Sequence, residues 1–231
     1  MPVGKLILLP NLLEENAHPD FSFPPALLSV VGSLQGLICE SDKAARRFLR
    51  RFLSHDAMAA LPLKSLNEHT SSKELYSLLE PLIRGETWGL ISDAGLPCIA
   101  DPGAELVWLA REKGVEIEAL SGPSSILLAL QLSGFSGQRF AFHGYLPREL
   151  PDLEKKIKEL EKRCKEETQI WIEAPYRSSK MLDLLLKTLQ PATRLCVAVN
   201  LTSPHQKVVS SFIKNWKVFP IQKEPAVFLI G

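Results

Sequence analysis

The stretch Ser92-Asp93-Ala94-Gly95-Leu96-Pro97-Cys98-Ile99-Ala100-Asp101-Pro102-Gly103 constrains this chain more than any other. Two glycines, two prolines and two aspartates within twelve residues cannot continue a helix or a central strand. A strand-like run, residues 88–92, precedes it, and a helix-like run, residues 104–113, follows. The stretch is therefore a fixed loop, rich in accessible backbone, at the carboxyl end of a strand. Open α/β sheets bind ligands at such places.

The same alternation runs along the chain. Strands are predicted at residues 5–9, 37–40, 58–63, 88–92 and 115–120, and helices at 26–34, 42–54, 71–83 and 104–113. Strands alternating with helices imply βαβ units and a parallel sheet. A second punctuated loop, Ser121-Gly122-Pro123-Ser124-Ser125, leads into a helix at 126–132, with Gly122 and Pro123 placed at its entry. There the Ser124 and Ser125 hydroxyls and the first free N–H groups would face one point. Beyond Arg139 the pattern changes to strands at 140–145, 169–173, 194–200, 208–213 and 226–230, with helices at 150–167 and 178–189. The expected division is an N-terminal α/β domain, residues 1–117, with a parallel sheet, and a C-terminal α/β domain, residues 118–231, with a mixed sheet.

Composition excludes several classes. At 45% hydrophobic and 23% charged residues, the chain has the balance of a water-soluble globular protein. A net charge of +1 gives no global field for nucleic acid or membrane, so any basic footprint must be local. The four cysteines are far apart, which argues against a zinc site or a disulfide framework and fits a reducing cytoplasm. The first ten residues lack the length and flanks of a signal peptide, and no apolar run is long enough to span a bilayer. No metal is expected.

The two loops, in this order, resemble those of the tetrapyrrole methylase superfamily. Within it the chain is most similar to the ribosomal RNA small-subunit methyltransferase I group, which methylates a cytidine 2′-hydroxyl. Phe140-x-Phe142-x-Gly144-Tyr145-Leu146-Pro147-Arg148 is similar to that group's F-x-F-x-G-F-L-P-R, and Glu173-Ala174-Pro175-Tyr176-Arg177 to its E-S-P-H-R. Asn200-Leu201-Thr202-Ser203-Pro204-His205 resembles E-L-T-K-x-H, and Pro225 to Gly231 resembles the P-A-x-x-x-x-G ending. Departures lie on the N-terminal side. T-P-I-G-N is reduced to Leu9-Pro10-Asn11, E-D-T-R becomes Glu40-Ser41-Asp42-Lys43, and Y-H-E-H-N becomes Leu66-Asn67-Glu68-His69-Thr70.

The resemblance implies a homodimer of two α/β domains of the tetrapyrrole methylase type, with S-adenosylmethionine in the cleft between them. It implies cofactor contacts from Pro10, Asp93, Ala94, Gly95, Leu96, Ile99, Asp101, Ser124, Ser125 and Ala226. Asp101 has an alternative role as a helix N-cap. For a ribose hydroxyl acceptor the candidate bases are Glu40, Asp42, His69 and Glu173, none of which stands out. The one dense basic cluster puts Arg46, Arg47 and Arg50 on a single helix face, suited to RNA phosphates or simply to solvent. Three readings stay open: methyl transfer to RNA of the ribosomal small subunit, methyl transfer to a tetrapyrrole or other small molecule, and cofactor binding without catalysis.

Overall fold

A computed structural model describes residues 3–217 and 219–231. The chain forms two compact units, Met1–Pro123 and Ser124–Gly231.

Unit 1 is built on five parallel strands, β1 (Lys5–Leu8), β2 (Gly36–Cys39), β3 (Leu63–Ser65), β4 (Thr87–Ile91) and β5 (Glu116–Ala119), in the order β3-β2-β4-β1-β5. The boundary expected after residue 117 would cut β5. That strand pairs with β1 from Lys5↔Glu116 to Leu8↔Ala119, so it and the loop after it belong to the first sheet.

Alternation along each strand sends side chains to opposite faces. Ile7, Leu37 and Ile91 pack with α1 (Leu27–Ser33), α2 (Asp42–Leu49) and α3 (His55–Ala60). Leu6, Ile38 and Leu90 pack with α4 (Ser72–Ile83) and α5 (Ala104–Glu112) on the other face. The chain therefore leaves β1 and β2 toward one face and β4, which lies between them, toward the other. Such a divergence opens a crevice at the carboxyl ends of the strands.

Local chemistry sets the helix ends. Ser71 and Glu74 form a reciprocal capping box on α4. Pro81 sits inside α4 and has no N–H for the Ser77 carbonyl, but the Lys64 ammonium donates to that oxygen at 2.7 Å. Two expectations fail here. The helix predicted over 42–54 stops at Leu49, and the strand predicted over 58–63 is helix α3 followed by β3. Ser54 accepts from the Ala57 N–H and starts α3, burying Met58 against α1 and α2; the local cap and this packing override the apolar run.

Unit 2 has a mixed sheet of β6 (Phe140–Tyr145), β7 (Thr168–Glu173), β8 (Arg194–Val199), β9 (Lys207–Phe212) and β10 (Ala226–Ile230). Its order is β6-β7-β10-β8-β9, with only β6 and β7 parallel. The amphipathic helices α7 (Leu150–Arg163) and α8 (Ser178–Thr188) share one core with Trp171, Val197 and Phe228. Helix α6 (Ser125–Ser133) contacts the same strands but lies outside that core, so it covers the opposite face. Pro123 does not occupy the first turn of α6: Ser124 is the N-cap, accepting from the Leu127 N–H, and the proline precedes it. Among the described residues no helix is long and apolar enough to cross a membrane.

Candidate functional site

The crevice of unit 1 is closed by three chain segments bonded to one another. Leaving β1, Pro10 packs against Gly122, where an added Cβ would fall 2.1 Å from the Pro10 Cβ. Asn11, nearly inaccessible, donates through Nδ2 to the carbonyls of Ser92 (3.1 Å) and Asp93 (3.0 Å), and its own N–H donates to Gly95 O at 2.7 Å. Gly95 has φ +69, and a Cβ there would lie 3.1 Å from Leu13 and 3.4 Å from the Pro123 carbonyl. Glycine is thus needed at 95 for its backbone as well as for space. Cys98 (φ 68) and Ala100 (φ 65) also hold left-handed conformations. Such strain costs on the order of 1 kcal/mol per residue and persists only where the surroundings enforce it.

Carboxylates converge on this edge. Glu40 follows β2, while Asp93 and Asp101 sit in the loop after β4. The Ser41 hydroxyl, N-cap of α2, donates to the Asp93 carboxylate at 2.9 and 3.1 Å. Glu40 accepts from the Asp93 N–H, but burial and then the Asp93 charge push its carboxyl above the usual range. Asp101 is pushed up to about 6, by burial first and then by Glu40, with the Ser92 side chain partly offsetting this. Asp101 does not cap α5: Gly103, with φ +131, holds the N-cap position. The turn after β3 adds Glu68, whose charge also raises Glu40, and beside it His69, exposed and 3.5 Å from Glu68. Among the described residues no group of three or more His, Cys, Asp or Glu is placed to hold a metal ion.

An ionised Asp101 is therefore an unfavourable charge, and its cost has a definite pH dependence. The folded-state value near 6 lies above the ordinary 3.8, so the contribution of Asp101 to stability is greatest at low pH and is lost as pH rises through about 6. Asp101→Asn is expected to stabilise the protein by about 1–2 kcal/mol at pH 8, with the gain fading by pH 4.5. Urea unfolding at both pH values measures this, and a gain independent of pH would contradict the origin assigned to it.

The remaining expected residues are distributed as follows. Asp93, Ala94 and Ile99 are exposed at the loop's rim, and Leu96 is half-buried beside Gly122. Asp42 is exposed in the first turn of α2, 4.0 Å from Arg46. Arg47 is held by Glu15 at 3.1 Å, an acidic partner that the helical spacing could not show. Arg46 and Arg50 stay exposed, and Arg50 is the C-cap residue of α2.

Ser124, Ser125, Glu173 and Ala226 belong to unit 2. The Ser124 hydroxyl is engaged by its own helix. Ala226 is buried with the α7–α8 core and lies opposite Glu173 in the sheet. Glu173 is 2% exposed, with Oε1 accepting from the Ala174 N–H and Oε2 3.2 Å from Arg177 Nη2. Burial pushes its carboxyl up, opposed by the Arg177 charge. Sequence reasoning missed Asn11, Ser41 and Ser92, which fix the loop. Their signals were a Pro-Asn pair after β1 and serines at strand ends, each too common to stand out alone.

Residues 30–216 match the family Tetrapyrrole (Corrin/Porphyrin) Methylases. The Ribosomal RNA small subunit methyltransferase I of Thermotoga maritima is 34% identical over 63% of this chain, and that of Bacillus subtilis 34% over 71%. Those alignments span 64% and 55% of the two relatives, so the chain covers less than two thirds of either. In fold it is similar to the methyltransferase CobJ (TM-score 0.62, 16% identity, 99% of this chain and 94% of that one). It is likewise similar to diphthine synthase (TM-score 0.67, 12% identity, 98% and 88%). With four fifths of its length matched and both sheets in place, the chain belongs to the tetrapyrrole methylase family.

Proposed function

We propose that the protein is an S-adenosylmethionine-dependent methyltransferase acting on RNA, with a ribosomal RNA nucleotide, a cytidine 2′-hydroxyl, as the acceptor. The observation that carries the reading is the closed loop set at the unit 1 crevice, in a chain whose curated relatives are named as ribosomal RNA methyltransferases. When bound, the cofactor supplies an electrophilic methyl group on a positively charged sulfur. The residues present fit it. Asp93, Glu40 and Asp101 form a carboxylate-lined edge that favours a cation, and the rim of Asp93, Ala94 and Ile99 leaves backbone accessible for close approach. The protein's contribution is to hold the acceptor oxygen in line and keep water out, which is worth several kcal/mol. Asp101, raised by burial and then by the Glu40 charge and ionised above about pH 6, is one carboxylate of that edge able to take the hydroxyl proton.

Arg46, whose partner is the exposed Asp42 at 4.0 Å, and the exposed Arg50 at the end of α2 are better placed to meet phosphates than Arg47. The test is transfer of labelled methyl to undermethylated small-subunit RNA. Arg46→Glu with Arg50→Glu is expected to lower kcat/KM for RNA roughly tenfold and flatten its salt dependence, with cofactor affinity unchanged. Absence of transfer to RNA or subunits overturns the acceptor. One observation favours a second reading, cofactor binding without transfer: Leu12 and Leu13 lie directly on Gly95, where the shortened N-terminal loop departs from its relatives. Tight binding with no product across RNA and small-molecule pools would select it.

A further inference from the structure

A cavity lies within unit 2, lined by none of the residues of the carboxylate edge. It has a volume of about 630 Å³, within the usual range for a small-molecule site. It runs along one face of α8, where Lys180, Asp183 and Lys187 recur at helical spacing; Tyr176, in the turn before α8, and Arg148, just before α7, line it as well. Its walls carry four cations, Arg148, Arg177, Lys180 and Lys187, against two carboxylates, Glu173 and Asp183. Arg148, Lys180 and Lys187 are exposed and make no ion pair among the described residues. Arg177 is committed inward, to Glu173 and to the Pro147 carbonyl at 3.0 Å.

Two features say what such a cavity accepts. Tyr176 is 67% exposed, a flat apolar face left in water beside the cations. Glu173 is buried in the cavity wall, and its Oε2 has no aligned hydrogen-bond donor despite the Arg177 charge nearby. A plain anion or an acidic peptide would satisfy the rim cations but meet this carboxylate unfavourably. A ligand with a flat ring, a donor on the ring edge and a phosphate satisfies all three.

We infer that this cavity is a nucleotide-binding subsite for single-stranded RNA. The base lies on Tyr176 with its amino edge toward Glu173 Oε2, and the phosphate meets Lys180, Lys187 and Arg148. The subsite takes its ligand class from the RNA reading above, yet it stands on residues that reading does not use. It would hold a nucleotide outside the reacting position, giving the enzyme register on its substrate.

Calorimetry of the full chain with GMP, CMP, UMP and inorganic phosphate, and fluorescence anisotropy with a short labelled oligoribonucleotide, test it. Tyr176→Ala and Lys180→Glu, both at exposed positions, are each expected to weaken oligonucleotide binding roughly tenfold, and Lys180→Glu to flatten its salt dependence. GMP and CMP, which carry amino donors, are expected to bind more tightly than UMP, with Glu173→Gln removing that preference. Saturating S-adenosylhomocysteine should displace neither. Oligonucleotide affinity unchanged in both exposed variants, displacement by S-adenosylhomocysteine, or phosphate binding as tight as CMP would each overturn the inference. If Glu173→Gln does not fold, the two exposed variants decide. All readouts are binding, so failure of methyl transfer to RNA would leave the result legible.

Discussion

Replacing Trp171 by alanine is expected to cost about 3–5 kcal/mol of unfolding free energy, the largest single loss in the molecule. Trp171 is completely buried in β7 and stacks on Phe228 of β10, with ring centroids 5.8 Å apart and planes within 9°. It packs in one core with α7 and α8, so its removal leaves a large cavity among close-packed side chains. Its indole Nε1 is buried without a hydrogen-bond partner among the described residues. An unmet donor costs roughly 1–3 kcal/mol, so phenylalanine, which removes the donor and keeps a ring on Phe228, should cost less than about 1.5 kcal/mol. Urea unfolding of the two variants separates packing from ring polarity. Equal losses for alanine and phenylalanine would refute this account.

Gly122→Ala is the second. Its Cβ would sit 2.1 Å from Pro10 Cβ, a ring atom that cannot swing away, and 3.2 Å from Leu96 Cδ2. Pro10 is a ring on the backbone, anchored on one side by the Leu9 N–H bond to Leu90 O and on the other by the Asn11 contacts. The loop must move off the end of β1, at a cost of about 2–3 kcal/mol. In the proposed reading the same movement weakens S-adenosylmethionine binding more than tenfold. Gly134→Ala is the control. Unlike Gly122, that residue has positive φ (+73), but nothing lies within 4 Å of its added Cβ, so it should lose only about 1 kcal/mol and leave binding intact. Calorimetry and thermal unfolding of both variants check the contrast. Matching losses would refute the contact with Pro10 as the source of the larger cost.

Much of this protein was legible as sequence because the cues are local. Hydrophobic alternation and helical spacing located every strand of the two sheets except β3 and every α-helix but α3. The Ser71–Glu74 box and the glycines at 85, 114 and 134 gave helix limits to within a residue or two. The loop at 92–103 announced itself through residues that fit no regular element. Its role at a strand's carboxyl end followed from position alone.

What was not legible depends on partners distant in sequence. Arg47 reads as a free cation until Glu15, thirty-two residues earlier, is brought to it. Residues 58–60 read as the start of a strand until Ser54 caps the helix that holds them and Met58 finds the α1–α2 core. Asp101 reads as a helix cap until Gly103 takes that position and Glu40 and Asp93 arrive beside it. The cavity on α8 needed Arg148, just before α7, and Glu173, at the end of β7, to face one helix.

The sequence by itself determined the order of the elements, the punctuated loops and the kind of sheet each half could form, because these rest on backbone preference and on periodic burial. Only the tertiary structure decided that Pro10, Asn11 and Gly122 lock the loop after β4, and that three carboxylates meet on it. Those relations come from the strand order β3-β2-β4-β1-β5, which sets β4 between β2 and β1 and turns its loop back over both. No spacing along the chain encodes that neighbourhood.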